Sequence, residues 1–167
     1  HAAELPLAGL DGFRELHFDA RCPTGVRGTP PVIDFMASGP NGVVGAAVHV
    51  FEYLVPRPRR VSPAYAGLEL PAGLRVWAPY LQPDLTEPSG FRHLDTAAVA
   101  KLAVGLGRIF SGRPVRLLYL FLEPQGAPLP ASFGRHRAEL ARLIQDTAGG
   151  DVLLVPMSFH ELWAFWQ

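Results

Sequence analysis

A carboxylate inside an apolar strand is the first residue in this chain that asks for chemistry. Asp34 sits within Val32-Ile33-Asp34-Phe35-Met36-Ala37. A carboxylate in such a setting is costly unless it is paired, hydrogen-bonded or metal-bound. The bland alternative is an edge-strand aspartate turned to solvent between Ile33 and Phe35. In the next stretch, Val43–Tyr53, alternation places Ala47, His49 and Phe51 on one face and Val48, Val50 and Glu52 on the other. His49 and Asp34 could then meet across a hairpin as a ligand pair or an acid–base pair. Glu52 reaches them only if a bulge intervenes. Fourteen of the fifteen basic residues are arginine, so lysine chemistry has one candidate, Lys101. His136 falls on an apolar helical face beside Phe133 and Leu140, as a buried histidine with a backbone partner or a helix-borne site residue. Arg57, Arg59 and Arg60 form the one basic cluster, either a phosphate grip or a solvated edge.

Other signals are weaker. His17, Asp19 and Cys22 lie close together, but their spacing matches no closed four-ligand zinc pattern. Trp163, Phe165 and Trp166 read as core or interface anchors. There is no Walker loop, no Gly-x-Gly-x-x-Gly and no Gly-x-Ser-x-Gly elbow.

These side chains need elements to hold them. Residues 1–31 are irregular, with a short extended piece at Glu15–Phe18. A strand over Val32–Ala37, the turn Gly39-Pro40-Asn41-Gly42 and a β-rich run to Tyr53 make a hairpin. The Pro-rich stretch at about 55–93 predicts an excursion packed on the domain or a mobile lid, with a short strand near Arg75-Val76-Trp77. Asp95 caps a helix whose apolar positions are Val99, Leu102, Ala103, Leu106, Ile109 and Phe110. Lys101 lies off that stripe, which predicts a solvated position. Val115–Leu122 and Val152–Val155 read as buried strands. Pro130 opens a second helix that stops at Gly149-Gly150, and a short aromatic helix covers His160–Trp166. The order hairpin, helix, strand, helix, strand, helix predicts an α/β fold with a mixed sheet flanked by helices.

Composition narrows the classes. Fifteen basic and fifteen acidic residues leave no net charge, so no global basic field points to nucleic acid. A 49% hydrophobic content over 167 residues supports a real core and argues against disorder. A single cysteine excludes an internal disulfide. No apolar run approaches the roughly 20 residues of a membrane helix, which gives the expectation of a soluble, cytoplasmic protein.

An aspartate on the first strand of a hairpin, a tight turn and a second strand together resemble the core of the PD-(D/E)XK nuclease superfamily. Three stretches are similar to a restriction-endonuclease-like branch of it. They are Asp34–Leu54 with Ser62-Pro63-Ala64-Tyr65, then Leu94-Asp95 through Gly107. The third runs from Leu117-Leu118-Tyr119-Leu120 through His136-Arg137-Ala138-Glu139 to Glu161-Leu162-Trp163. The resemblance implies one restriction-endonuclease-like domain over residues 1–167. It also implies that the aspartate and a Glu-x-Lys triplet on the second strand hold Mg²⁺ and activate water. Here the triplet reads Ala47-Val48-His49, a methyl group in place of the second carboxylate and a histidine in place of the lysine. The resemblance leaves Asp34, with Glu52 or an upstream Glu15, as ligands for Mg or Mn, and His49 or a relocated Lys101 as the catalytic group. The resulting expectation is a degenerate nuclease-like protein acting as a binding or scaffold module. The alternatives are an active metal-dependent DNA endonuclease, with Arg57, Arg59 and Arg60 on the DNA, and a homo-oligomeric interaction protein without nucleic-acid function.

Overall fold

A computed structural model describes residues 12–56, 61–83, 91–124 and 130–164. It contains a five-stranded mixed β-sheet flanked by helices, an α/β fold. The strands are β1 (Glu15–Arg21), β2 (Val32–Gly39), β3 (Gly42–His49), β4 (Val115–Phe121) and β5 (Val152–Ser158), and they lie side by side in that order. β1, β2 and β3 form an antiparallel meander, and β4 and β5 then add in parallel. The hairpin closes at Gly39↔Gly42, where Gly42 takes a φ of 151° that a β-branched residue would resist.

The parallel additions need crossovers, which helices α1 (Thr96–Ile109) and α2 (Ala131–Asp146) supply. Each crossover moves one strand further in the same direction, so a shared hand puts both helices on one face. That face carries the main core, with Val43, Ala47, Leu117, Tyr119, Phe121 and Leu154 against Val99, Leu106, Phe133 and Leu143. The other face, built on Val44, Ala46, Leu118, Leu120, Val155 and Met157, is covered by Phe159 and Leu162 of α3 (Phe159–Ala164). Away from α3, Leu16 and Phe18 on the outer strand β1 stay exposed. α1 sits close to the sheet because Gly45 has no side chain. A Cβ there would meet Ile33 Cδ1 at 2.5 Å and Leu106 Cδ1 at 2.8 Å.

Several expected boundaries move. β3 ends at His49 rather than Tyr53, and the chain turns at once into a 3-10 turn, Glu52–Leu54. No strand forms at Arg75–Trp77. Ala72–Leu81 is instead a 3-10 helix whose Leu74, Trp77, Tyr80 and Leu81 are buried, with α1 its main contact. Four apolar side chains spaced for one helical face outweigh the β-propensity of Val76 and Trp77. The described parts of the Pro-rich excursion are therefore packed on the core. β5 runs three residues past Val155, through Pro156, which an outermost strand tolerates because its far side needs no ladder donor. Asp95 does cap α1, accepting from Ala98 N at 2.9 Å. Among the described residues no helix is long and apolar enough to cross a membrane.

Candidate functional site

The antiparallel meander followed by parallel strands brings the start of β2 and the ends of β3, β4 and β5 to one margin of the sheet. The polar groups of the candidate site collect there. His49 ends β3 on the helix-covered face, one step past Ala47, as alternation predicts. It stacks on Tyr119 of β4 with ring centres 4.1 Å apart. Its Nδ1 donates to Glu52 Oε1 at 2.8 Å. Strand parity had put Glu52 on the opposite face, but the strand stops at His49 and the 3-10 turn carries Glu52 back. No bulge is needed. The other carboxylate oxygen of Glu52 accepts from Val50 N and Phe51 N, each at 3.0 Å. Burial pushes the Glu52 carboxyl up, but these N–H donors and the imidazole outweigh it and hold it below the ordinary value.

Behind this pair lies a wall of aromatic and imidazole rings. His136, on α2, is fully buried, with Nε2 3.1 Å from the Tyr119 hydroxyl, and stacks on Tyr53 at 4.0 Å. Its expected backbone partner is thus a side-chain hydroxyl. Burial drives its pKa down to about 3, with His49, His93 and Arg137 adding to the effect, so the ring is neutral. Burial likewise lowers His49, against the opposing pull of Glu52, Asp34 and Asp95. Tyr53 donates to the Leu122 carbonyl, and burial pushes its phenol up to about 12. His93 donates Nδ1–H to the Tyr53 carbonyl at 2.9 Å. His49 and His93 both bond through Nδ1, which leaves Nε2 as the other ring nitrogen of each. Neither Nε2, nor Nδ1 of His136, has a hydrogen-bond partner among the described residues. Glu139, one helical turn past His136, accepts from the backbone N–H of Arg92, His93 and Leu94 at 2.8–2.9 Å. It thereby fixes the loop that presents His93.

The remaining site residues separate. Asp34 is exposed although β2 is an inner strand. The β2–β3 pairing runs from Gly39↔Gly42 to Phe35↔Ala46, and beyond it Asp34 Oδ2 accepts from Val48 N at 2.8 Å. The side chain takes a ladder donor where the two strands part, so Asp34 bonds to the backbone next to His49 rather than to its ring. Glu15 pairs in register with Ser38, whose hydroxyl it accepts at 3.2 Å. Four residues along β2 separate Ser38 from Asp34, about 13 Å at strand rise. Lys101 is half-buried rather than solvated, its ammonium 5.4 Å from the centre of the Tyr65 ring. Trp163, expected as an anchor, is 55% exposed and touches Phe159. Arg57, Arg59, Arg60, Phe165 and Trp166 lie outside the described residues.

A hard divalent cation wants several carboxylate or carbonyl oxygens at one point. Asp34 offers one uncommitted oxygen, Glu52 is held by three donors, Glu15 is distant and Ala47 contributes a methyl group. This donor set does not fit Mg²⁺. Among the described residues no group of three or more His, Cys, Asp or Glu is arranged to hold a metal ion. The arrangement offers buried imidazole nitrogens that have no hydrogen-bond partner among the described residues. Sequence reasoning missed Tyr53, His93, Tyr119 and Glu139 as its members. One signal was available, since Glu139 follows His136 at i+3 beside Leu140 and Leu143, an acidic residue on a core-facing stripe.

No family model, no curated protein and no solved structure matches this chain.

Proposed function

We propose that this chain is a PD-(D/E)XK nuclease-like protein that has lost metal-dependent catalysis and serves as a binding or scaffold module. The observation that carries this reading is the fate of the Ala47-Val48-His49 triplet. The histidine in the lysine position is turned inward, bonded to Glu52 and stacked on Tyr119. The nearest spare carboxylate is thereby spent on the protein itself. A group that must orient a water on a metal has to reach that water, and this ring is packed on Tyr119 with its Nε2 buried.

The second reading is an active Mg- or Mn-dependent DNA endonuclease. It draws support from Asp34, whose exposed carboxylate is close enough to act electrostatically on His49. Calorimetric titration of Mn²⁺ and Mg²⁺ into the wild type and Asp34→Ala separates the two. We expect no saturable heat up to about 1 mM metal, weaker than ordinary oxygen-ligand sites. Saturable binding that Asp34→Ala removes, together with metal-dependent cleavage of DNA, would overturn the degenerate reading. A homo-oligomeric interaction protein instead predicts a concentration-dependent sedimentation coefficient with no DNA affinity.

A further inference from the structure

A cleft of about 440 Å³ opens between the loop from Thr24 to Pro31 and one side of α1. We propose that it is a binding site for a nucleotide through its phosphate. The polar wall holds Arg27 and Lys101 with the hydroxyls of Thr24, Thr29, Ser62 and Tyr65. Among the described residues no carboxylate lines it, in a chain whose acidic and basic residues are equal in number. The positive balance is thus local, the kind of concavity that concentrates an anion.

The wall is built rather than incidental. Tyr65 is buried, its hydroxyl 3.1 Å from Thr24 Oγ1, and this bond ties the loop to the 3-10 turn Pro63–Tyr65. The Tyr65 ring lies under the Lys101 ammonium, which fixes where that charge sits. Ser62 Oγ accepts from Ala64 N at 3.3 Å, and its hydroxyl keeps a rotatable O–H as a donor. Two helical turns beyond Lys101, on the same side of α1, Arg108 donates to the Glu69 carbonyl at 2.7 Å and would lie close against any side chain at Gly25. A third cation therefore backs the loop. Val26, Val32 and Leu102 supply an apolar wall beside the charged one. The volume exceeds a bare phosphate and suits a phosphate carrying a ring.

The inference uses the cleft alone and does not rest on the nuclease resemblance. The ligand chemistry has two sources, a free nucleotide or a nucleotide within a nucleic acid. The experiment is calorimetric titration of the intact chain with 5′-AMP, with a 5′-phosphorylated single-stranded hexanucleotide and with inorganic phosphate. We expect one saturable site, weakened about tenfold or more by Arg27→Gln and by Lys101→Gln and unchanged by Arg135→Gln on the exposed face of α2. Lys101→Arg, which keeps the charge, should bind, so that loss in Lys101→Gln is not mistaken for unfolding. The slope of affinity against salt should fall by about one for each cation removed. Comparable affinity for 5′-AMP and the hexanucleotide identifies a free nucleotide, and a large advantage for the hexanucleotide identifies a nucleic acid. Absence of saturable binding by all three probes, or equal affinity in wild type and the Arg27→Gln/Lys101→Gln double variant, overturns the proposal. Hexanucleotide binding that survives undiminished in the double variant removes this site yet leaves the binding-module reading standing.

Discussion

At the scale of single residues, His136 shows how burial decides a histidine's chemistry. In the unfolded chain its imidazole titrates near 6.5, and in the fold near 3. Between these values the unfolded state holds a proton that the native state refuses. Stability is therefore complete above about pH 6.5 and falls as the pH drops towards 3, by about 1.4 kcal/mol per pH unit for this group. His49, also lowered by burial, adds to the loss in the same direction. We expect urea midpoints to fall steadily from pH 7 to pH 4. In His136→Phe, which keeps the stacking partner of Tyr53 without a titrating nitrogen, the fall should be shallower. Equal slopes in the two proteins would show that His136 is not the linked group. The residues singled out by type, Asp34, His49 and Glu52, were legible in the sequence. Their bonding was not. Asp34 and His49 were matched with each other across the hairpin, whereas His49 bonds to a residue three positions along its own chain and Asp34 to a backbone N–H.

At the scale of elements, the largest departures come where strands and helices end. Periodicity reports the interior of an element well because every residue there repeats one environment. An end is set by a competing partner. β3 stops where the Glu52 carboxylate collects the N–H groups of Val50 and Phe51, and the loop before α1 is held by Glu139. That loop yields a prediction. Glu139→Ala leaves the N–H groups of Arg92, His93 and Leu94 without an acceptor in a largely buried setting. The expected cost is about 2–4 kcal/mol, and Glu139→Gln, with one acceptor oxygen left, should lose less. Urea denaturation monitored by far-UV circular dichroism measures both. A loss below about 0.5 kcal/mol in Glu139→Ala would mean that water replaces the carboxylate and that the loop is not anchored as described.

At the scale of the whole molecule, the packing distance between α1 and its surroundings depends on glycines that propensity alone would discourage. Gly105 lies in mid-helix, where a glycine normally costs about 1 kcal/mol against alanine. A Cβ there would collide with the Cys22 carbonyl oxygen and the Cys22 side chain. Gly134, at the end of the first turn of α2, has nothing within 4 Å of its would-be Cβ. The two glycines should therefore respond with opposite sign. Gly105→Ala is expected to destabilise by about 1–3 kcal/mol through overpacking. Gly134→Ala should stabilise by about 0.5–1 kcal/mol, since only propensity and unfolded-state entropy change. Thermal or urea midpoints of the two variants check the pair together, and a stabilised Gly105→Ala would mean that α1 stands further from the Cys22 segment than described.

The division between sequence and structure follows the range of the forces involved. Apolar residues repeating every two or every 3.6 positions, a cap at Asp95, a turn at Gly39–Gly42 and a stop at Gly149-Gly150 act over a few neighbours. From these the order hairpin, helix, strand, helix, strand, helix, and with it a mixed sheet, could be read, while β1 was legible only as a short extended piece. The 3-10 helix over Ala72–Leu81 escaped because Val76 and Trp77 carry β-propensity in a Pro-rich stretch, which packing against α1 overrides. The site escaped because it too depends on tertiary contact, on a larger scale. His49, Tyr53, His93, Tyr119 and His136 come from separate segments and meet only after the sheet is assembled. Lys101, read as solvated from its place off the apolar stripe, acquires a ring and a cleft from the loop and turn that fold over it. Which residues could do chemistry is written in their side chains, while tertiary contact decides which of them are charged, paired or reachable. Burial and hydrogen-bond partners are properties of the assembled fold and not of any stretch of chain.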